Sequence, residues 1–122
     1  MAQHNDLGRK GEEIAARMLE KKGYSILERN WRSGHKDLDL IATVNGELVV
    51  VEVKTRSSYE FGNPEEAVND RKIRRIVGAA DAYVRKKCID MHVRFDIITV
   101  VFSEEGSTVE HLEDAFFPPV WN

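Results

Sequence analysis

Apolar residues recur at helical spacing along two stretches of the chain. The first predicted helix runs from a cap at Asp6 to about Lys22, and Gly23 ends it. Its apolar face comprises Leu7, Ile14, Ala15, Met18 and Leu19. The second predicted helix runs from about Glu65 to Lys87, and its apolar face comprises Val68, Ile73, Ile76, Val77, Ala80 and Val84. Each face predicts a helix that packs one side against a core.

Runs rich in Val, Ile and Leu predict five strands around these helices. They cover residues 24–29, 37–44, 47–55, 94–102 and 108–112, with a loop at 30–34. The resulting order, α-β-β-β-α-β-β, predicts an α/β fold of the α+β sandwich type, with helices flanking a mixed central sheet. A length of 122 residues predicts a single domain, 1–122, in which 103–122 forms an acidic and apolar tail.

A tight hairpin is predicted at the Asn-Gly dipeptide of residues 45–46, the strongest short signal for a two-residue turn. A turn of this length sets the register of the two strands that it joins. The register places Asp39 opposite Glu52 and Asp37 opposite Lys54. Because side chains alternate across a strand, all four share one face of the hairpin.

Two carboxylates that face each other in a sheet repel, so Asp39 and Glu52 need a cation or a shared proton between them. Mg²⁺ takes one or two carboxylates together with waters and substrate phosphates, which is the set of ligands available here. The alternative is a surface hairpin with solvated charges and a minor salt bridge from Asp37 to Lys54. Against it, the apolar run at 49–51 predicts a strand buried on both faces. Spacing alone leaves the two interpretations even.

Composition narrows the class of protein. One cysteine, Cys88, excludes an internal disulfide and a cysteine-rich zinc site. No apolar run approaches the roughly 18 residues needed to cross a bilayer. The first residues also lack the basic and then apolar pattern of a secretion signal. These features predict a cytoplasmic protein that has no membrane partner.

The formal net charge of −3 argues at first against a nucleic-acid partner, but its distribution changes the picture. Residues 103–122 hold five acids and neither Lys nor Arg, whereas residues 54–87 hold nine bases and five acids. The middle of the chain is therefore locally basic, and a phosphate-rich partner remains compatible with the sequence.

Several motifs together resemble a known family. DLDLIA at 37–42 followed by VVVEVKTR at 49–56 resembles the core of the PD-(D/E)xK nucleases, which include restriction endonucleases and Holliday-junction resolvases. The whole chain is more closely similar to the YraN-type family of small bacterial predicted endonucleases. The further motifs are GRKGEEIAARML at 8–19, GYSILERNWR at 23–32, FGNPEEAV at 61–68, KIRRI at 72–76 and RFDIITV at 94–100.

The resemblance implies a restriction endonuclease-like core and a set of site residues. Asp39 corresponds to the metal-binding aspartate, and Glu52 and Lys54 to the acid and the lysine of the E-x-K motif. Val53 would offer its backbone carbonyl to the metal. The first-helix glutamate falls on Glu12, acting directly or through a water. The cofactor implied is Mg²⁺ or Mn²⁺.

Two positions qualify this assignment. Asp37 stands where the family usually has glutamate, and its shorter reach leaves open whether it is a ligand or an outer group. Glu13 is the second candidate on the first helix. On a helical wheel Glu12 lies at the margin of the apolar face, whereas Glu13 points away from that face.

Nucleic acid contacts are expected from Arg56, Tyr59, Lys72 and Arg75, with DNA as the expected partner and RNA as the open alternative. The predicted function is metal-dependent endonuclease cleavage of phosphodiester bonds, in structured or branched DNA. The alternatives are a non-catalytic nucleic-acid-binding module and a protein-interaction module that retains the fold. A homodimer is expected only by analogy with resolvases.

Four other residues are expected to serve structure. Trp31 and Tyr83 are predicted to lie in the core, and Asp96 to make a salt link or a cap. His35 is predicted to be an ordinary loop residue, and the apolar end of the chain either folds back on the core or meets a partner.

Overall fold

The computed structural model describes residues 2–57 and 69–118. Its elements follow the predicted order: α1 (Ala2–Lys21), β1 (Ser25–Ser33), β2 (Lys36–Val44), β3 (Glu47–Ser57), α2 (Asp70–Lys87), β4 (His92–Ser103) and β5 (Gly106–Leu112). The five strands form one sheet in the order β1-β2-β3-β4-β5. Only β3 and β4 pair in parallel, because α2 connects them, and the other pairs are antiparallel. The predicted mixed sheet flanked by helices is confirmed.

One helix covers each face of the sheet, and each encloses its own apolar cluster. The α1-side core comprises Ala15, Ala16, Leu19, Tyr24, Leu40, Ala42, Val49, Val51, Ile98 and Val100. The α2-side core comprises Leu38, Ile41, Leu48, Val50, Ile76, Val77, Ala79, Ala80, Tyr83, Phe95, Ile97 and Phe116. Residues 48–51 of β3 are buried on both faces, as the apolar run predicts, and Glu52 lies where that burial ends.

The β2–β3 hairpin has the predicted register. Asn45 and Gly46 both have positive φ, 48° and 79°, as a two-residue turn of the primed type requires. Cα pairing runs from Val44↔Glu47 to Leu40↔Val51 and ends there, one position before Asp39. The hairpin is therefore regular up to the carboxylates and irregular at them.

Side-chain alternation breaks at Asp39. Leu38 packs in the α2-side core and Leu40 in the α1-side core, although an ideal strand would place both on one face. The neighbouring strand, β1, is irregular at the same level. Arg29 pairs with Leu40 and Trp31 with Leu38, and Asn30 between them has a φ of 51°. Asp39 thus occupies the point at which β2 changes face.

Three predicted boundaries were wrong. β1 continues through the predicted loop to Ser33, because residues 31–33 pair with the start of β2. α1 begins at Ala2 rather than after Asp6, whose carboxylate instead pairs with Arg9. α2 begins at Asp70, where the Asn69 side chain caps it, rather than at about Glu65. Tyr59 and the FGNPEEAV motif lie outside the described residues.

The segment predicted as a tail is partly sheet. β5 pairs along the edge of β4 from Gly106 to Leu112. Phe116 then stacks on Phe95, with ring centroids 5.2 Å apart, so the chain folds back on the core. Trp31 and Tyr83 also meet in the core, edge to face at 5.2 Å, as predicted. Among the described residues, no helix has the length and apolar character to span a membrane.

Candidate metal centre

Asp39 and Glu52 come together where the β2–β3 pairing ends. The backbone N–H of Val53 donates to Asp39 Oδ2 at 2.8 Å, so this side chain takes a donor of β3 beyond the last paired residues. That bond holds the Asp39 carboxyl beside Glu52. The predicted juxtaposition is present, although a side chain rather than the strand register produces it.

The surroundings of the Asp39 carboxyl favour its protonated form. Burial, then repulsion by Glu52, raises the pKa of Asp39 to about 8, and the Val53 N–H only partly opposes that rise. The charge of Glu12 and hydrogen bonding to Glu52 raise it further. A divalent cation would oppose this rise, because it stabilises both carboxylates in their ionised form.

Glu12 reaches this site because α1 lies very close to β3. A Cβ on Gly11 would overlap Thr55 Oγ1, so glycine is what permits the close approach of the two elements. Glu12 acts on Asp39, whereas Glu13 is exposed and pairs with arginines 17 and 29, at 3.3 and 3.5 Å. The choice of Glu12 over Glu13 on the helical wheel matches this arrangement.

Glu52 faces α2 and pairs with it. Lys72 Nζ lies 3.2 Å from Glu52 Oε1, and the two side chains are only 25% and 15% exposed. Lys54 follows two residues after Glu52 on the same strand and is partly buried. The sequence placed Lys72 among the residues that contact nucleic acid, but no sequence signal indicated its ion pair with Glu52.

Asp37 does not face Lys54. Its Cα partner is Arg32 of β1, because the β2–β3 pairing ends at Leu40↔Val51, and its side chain is exposed. The carboxylates that act on Asp39 are Glu52 and Glu12. The predicted pair of Asp37 with Lys54 was therefore wrong, and a ligand role for Asp37 stays a prediction.

Two cavities lined by basic residues adjoin these carboxylates. One, of about 680 Å³, is lined by Asn69, Arg71, Lys72 and Arg75 at the start of α2. The other, of about 210 Å³, is lined on the α1 side by Arg9, Glu12, Glu13, Arg29, Asn30 and Leu40. Lys72 and Arg75 thus share one cavity, as their helical spacing predicts, and Arg56 lies on β3 beyond Lys54. The cavity on the α1 side was not predicted.

The carboxylates fit a hard cation in their chemistry, because Asp39 and Glu52 are adjacent oxygen donors and the pairing of Lys72 with Glu52 offsets their repulsion only in part. Asp39 and Glu52 would be its two direct donors, and the charge of Glu12 acts on Asp39 from α1. Within residues 2–57 and 69–118, no group of three or more His, Cys, Asp or Glu side chains is arranged to hold a metal ion. Among the described residues, a rearranged Glu12, the Val53 carbonyl and Asp37 are the candidates for a third protein ligand.

A second buried carboxylate, Asp96, lies on the α1 side of β4 in a very different setting. It is fully buried and receives two hydrogen bonds from Arg94, at 2.9 and 2.8 Å. His111 Nε2 lies 2.7 Å from Oδ2, and the Asp114 N–H donates at 2.9 Å. Burial would raise the pKa of Asp96, but the hydrogen bonds from His111 and Arg94 outweigh it and lower the pKa. The salt link predicted for Asp96 is confirmed.

Comparison with known proteins shows the family. The profile of the family described as "Uncharacterised protein family UPF0102" matches residues 11–100. A UPF0102 protein of Phocaeicola vulgatus is 56% identical over 99% of this chain and 100% of its own length. UPF0102 proteins of Bacteroides thetaiotaomicron (52% identical; 99% and 100%) and Flavobacterium psychrophilum (48%; 96% and 98%) are similar over comparable lengths. The chain belongs to the UPF0102 family.

Proposed function

We propose that this protein is a metal-dependent endonuclease of the PD-(D/E)xK superfamily, acting on phosphodiester bonds of structured or branched DNA. The observation that carries the proposal is the Asp39 carboxyl, which the Val53 N–H holds beside Glu52 at the end of the β2–β3 pairing. Arrangements in which like charges are buried together persist when function requires them. The resemblance of the DLDLIA and VVVEVKTR motifs to the PD-(D/E)xK core favours the same conclusion.

The proposed centre takes Mg²⁺ or Mn²⁺ on Asp39 and Glu52, with Glu12 acting directly or through a water. Such an ion, when bound, makes a coordinated water acidic and offsets the charge that develops on a phosphate. The Val53 N–H keeps Asp39 oriented toward Glu52 throughout. Lys54, two residues beyond Glu52, orients the attacking water or stabilises the phosphate oxygens in the transition state.

The nucleic acid would lie across the start of α2. Lys72 and Arg75 line the larger cavity together with Arg71, and the N-terminal end of a helix adds partial positive charge to the same place. Basic side chains at such a place contact the phosphates of the nucleic acid rather than its bases. Binding is therefore expected to weaken steeply with salt and to show little sequence preference.

The test is cleavage of a DNA panel: single strand, duplex, flap and four-way junction, each with Mg²⁺ or Mn²⁺. Asp39→Asn and Lys54→Ala are expected to abolish cutting, because the first removes a metal ligand and the second the cation beside the phosphate. Asp81→Asn is the matched control. It makes the same chemical change in an exposed residue that pairs with Arg85 on α2, and it should leave cutting unchanged.

Cutting by the parent and by Asp81→Asn alone would support the proposal and define the preferred substrate shape. Equal cutting by all four proteins would contradict it, since a contaminant would then account for the activity. Binding of DNA without any cutting would favour the non-catalytic nucleic-acid-binding module instead.

A further inference from the structure

Lys72 belongs to two sites at once. Its ammonium group pairs with Glu52 at 3.2 Å, and the same residue lines the 680 Å³ cavity beside Arg71 and Arg75. Its backbone is fixed, because its N–H donates to Oδ1 of the capping residue Asn69 at 2.9 Å. The side chain is therefore anchored at its base, and only its flexible stem decides which site the charge occupies.

A partly buried ammonium and a divalent cation compete for the same carboxylate oxygens of Glu52. Both cannot lie beside Glu52 without strong repulsion, because charge is poorly screened in a partly buried site. The open cavity offers the displaced ammonium a place among two arginines. That place is favourable only when anionic phosphates occupy the cavity, since three cations would otherwise repel one another there.

We infer that Lys72 couples metal binding to nucleic-acid binding: it neutralises Glu52 in the metal-free protein and turns to a phosphate when the metal takes its place. The inference rests on the proposed metal centre and adds a regulation of that centre. Coupling between two ligands is reciprocal, so metal should strengthen DNA binding and DNA should strengthen metal binding by the same factor. A protein of this kind holds its metal weakly until the substrate is present.

The experiment measures Mn²⁺ binding by electron paramagnetic resonance without DNA, and binding of a labelled four-way junction by fluorescence anisotropy with and without Ca²⁺. Lys72→Met is expected to bind Mn²⁺ about 10-fold more tightly than the parent, a factor within the usual range of site coupling. Its DNA affinity should respond less to the divalent ion than that of the parent, because only the direct attraction of the ion for phosphate remains. Lys72→Arg, which keeps the charge, should keep Mn²⁺ binding as weak as in the parent.

Arg75→Met is the matched control, since it removes the same charge from the same cavity but not from the ion pair with Glu52. It should weaken DNA binding and leave Mn²⁺ affinity near that of the parent. Equal Mn²⁺ affinities for the parent, Lys72→Met and Arg75→Met would overturn the inference and leave the metal centre standing. Failure of both the parent and Lys72→Met to bind Mn²⁺ would overturn both the metal centre and the inference.

Discussion

Two buried aspartates lie on the same sheet in opposite electrostatic settings. Asp96 is fully enclosed and surrounded by donors, and the hydrogen bonds from His111 and Arg94 lower its pKa against the effect of burial. Asp39 is less buried, yet burial and repulsion by Glu52 raise its pKa, and one backbone N–H is the donor that opposes the rise. Depth of burial therefore does not decide the state of a carboxyl in this fold.

The difference separates a charge that links elements of the fold from the charge that the proposed function would use. The hydrogen-bond partners of Asp96 are Arg94 on β4, His111 on β5 and the backbone of Asp114. That charge therefore links β4 to β5 and to the turn after β5. The neighbours of Asp39 do little to stabilise its ionised carboxylate, whereas a bound cation would stabilise it. Repulsion such as that between Asp39 and Glu52, which the fold does not fully compensate, is expected where a protein binds a ligand.

The largest expected effect is that of Asp96→Asn. The change leaves Arg94, whose side chain is 14% exposed, buried without its full counter-charge. Removal of one partner from a buried pair typically destabilises by roughly 3–5 kcal/mol. The free energy of unfolding in urea at neutral pH should fall by that amount. A loss below about 1 kcal/mol, the size of a typical hydrogen bond, would mean that Asp96 is not the structural charge described here.

Divalent cations should stabilise the parent protein. A ligand that binds only the folded state adds about 2.7 kcal/mol at a hundredfold excess over its Kd. Thermal unfolding with and without Mn²⁺ should therefore show a clear rise in Tm for the parent and none for Glu52→Gln. An equal rise in both proteins would place the cation elsewhere.

Gly11→Ala should disturb the approach of α1 to β3. The added methyl group meets Thr55 Oγ1, and overpacking of this kind destabilises by typically 1–3 kcal/mol. Thr55→Ala in the same protein should recover much of the loss, and a double-mutant cycle in urea measures that recovery. Additive effects of the two substitutions would show that the contact does not position α1.

The smallest expected effect concerns exposed charge. Arg85 pairs with Asp81 at 3.1 Å, but the two side chains are 80% and 58% exposed. Arg85→Ala should change the free energy of unfolding by no more than about 0.5 kcal/mol. A loss comparable to that of Asp96→Asn would break the contrast between enclosed and exposed ion pairs.

The sequence predicted correctly the features that a few neighbouring residues determine by themselves. The Asn-Gly turn fixed the hairpin register correctly, because the register follows from two residues. The apolar run at 49–51 located Glu52 at the end of a buried strand. Spacing and the family motifs selected Asp39, Glu52 and Glu12 as candidates, and the structure places Glu52 and Glu12 where their charges act on Asp39.

The features that the sequence did not predict depend on contacts between residues that are distant in the chain. Residues 31–33 read as a loop because their strand conformation depends on β2, not on their own composition. The change of face at Asp39 depends on a matching break at Asn30, which no local pattern reveals. The Asp96 site joins residues that are up to 18 positions apart in sequence, and its one hint was charge within the apolar run at 94–100.

The most direct test of the account follows the stability of Asp39→Asn and the parent across pH, without metal. The folded pKa of Asp39 lies above its unfolded value of 3.8, so the folded state binds the extra proton. Its stabilising effect is complete below about pH 4 and is lost as pH rises toward about 8. Asparagine has no such ionisation, and its side-chain oxygen can still accept from the Val53 N–H.

Urea unfolding should therefore find that Asp39→Asn gains roughly 2–4 kcal/mol of stability over the parent between pH 5 and pH 8, since one pKa unit corresponds to about 1.4 kcal/mol, and that it is the more stable protein at pH 8. Mn²⁺ should reverse the order at pH 8. A parent protein that is the more stable of the two at pH 8 without metal would contradict the claim that Asp39 and Glu52 form a carboxylate pair awaiting a cation.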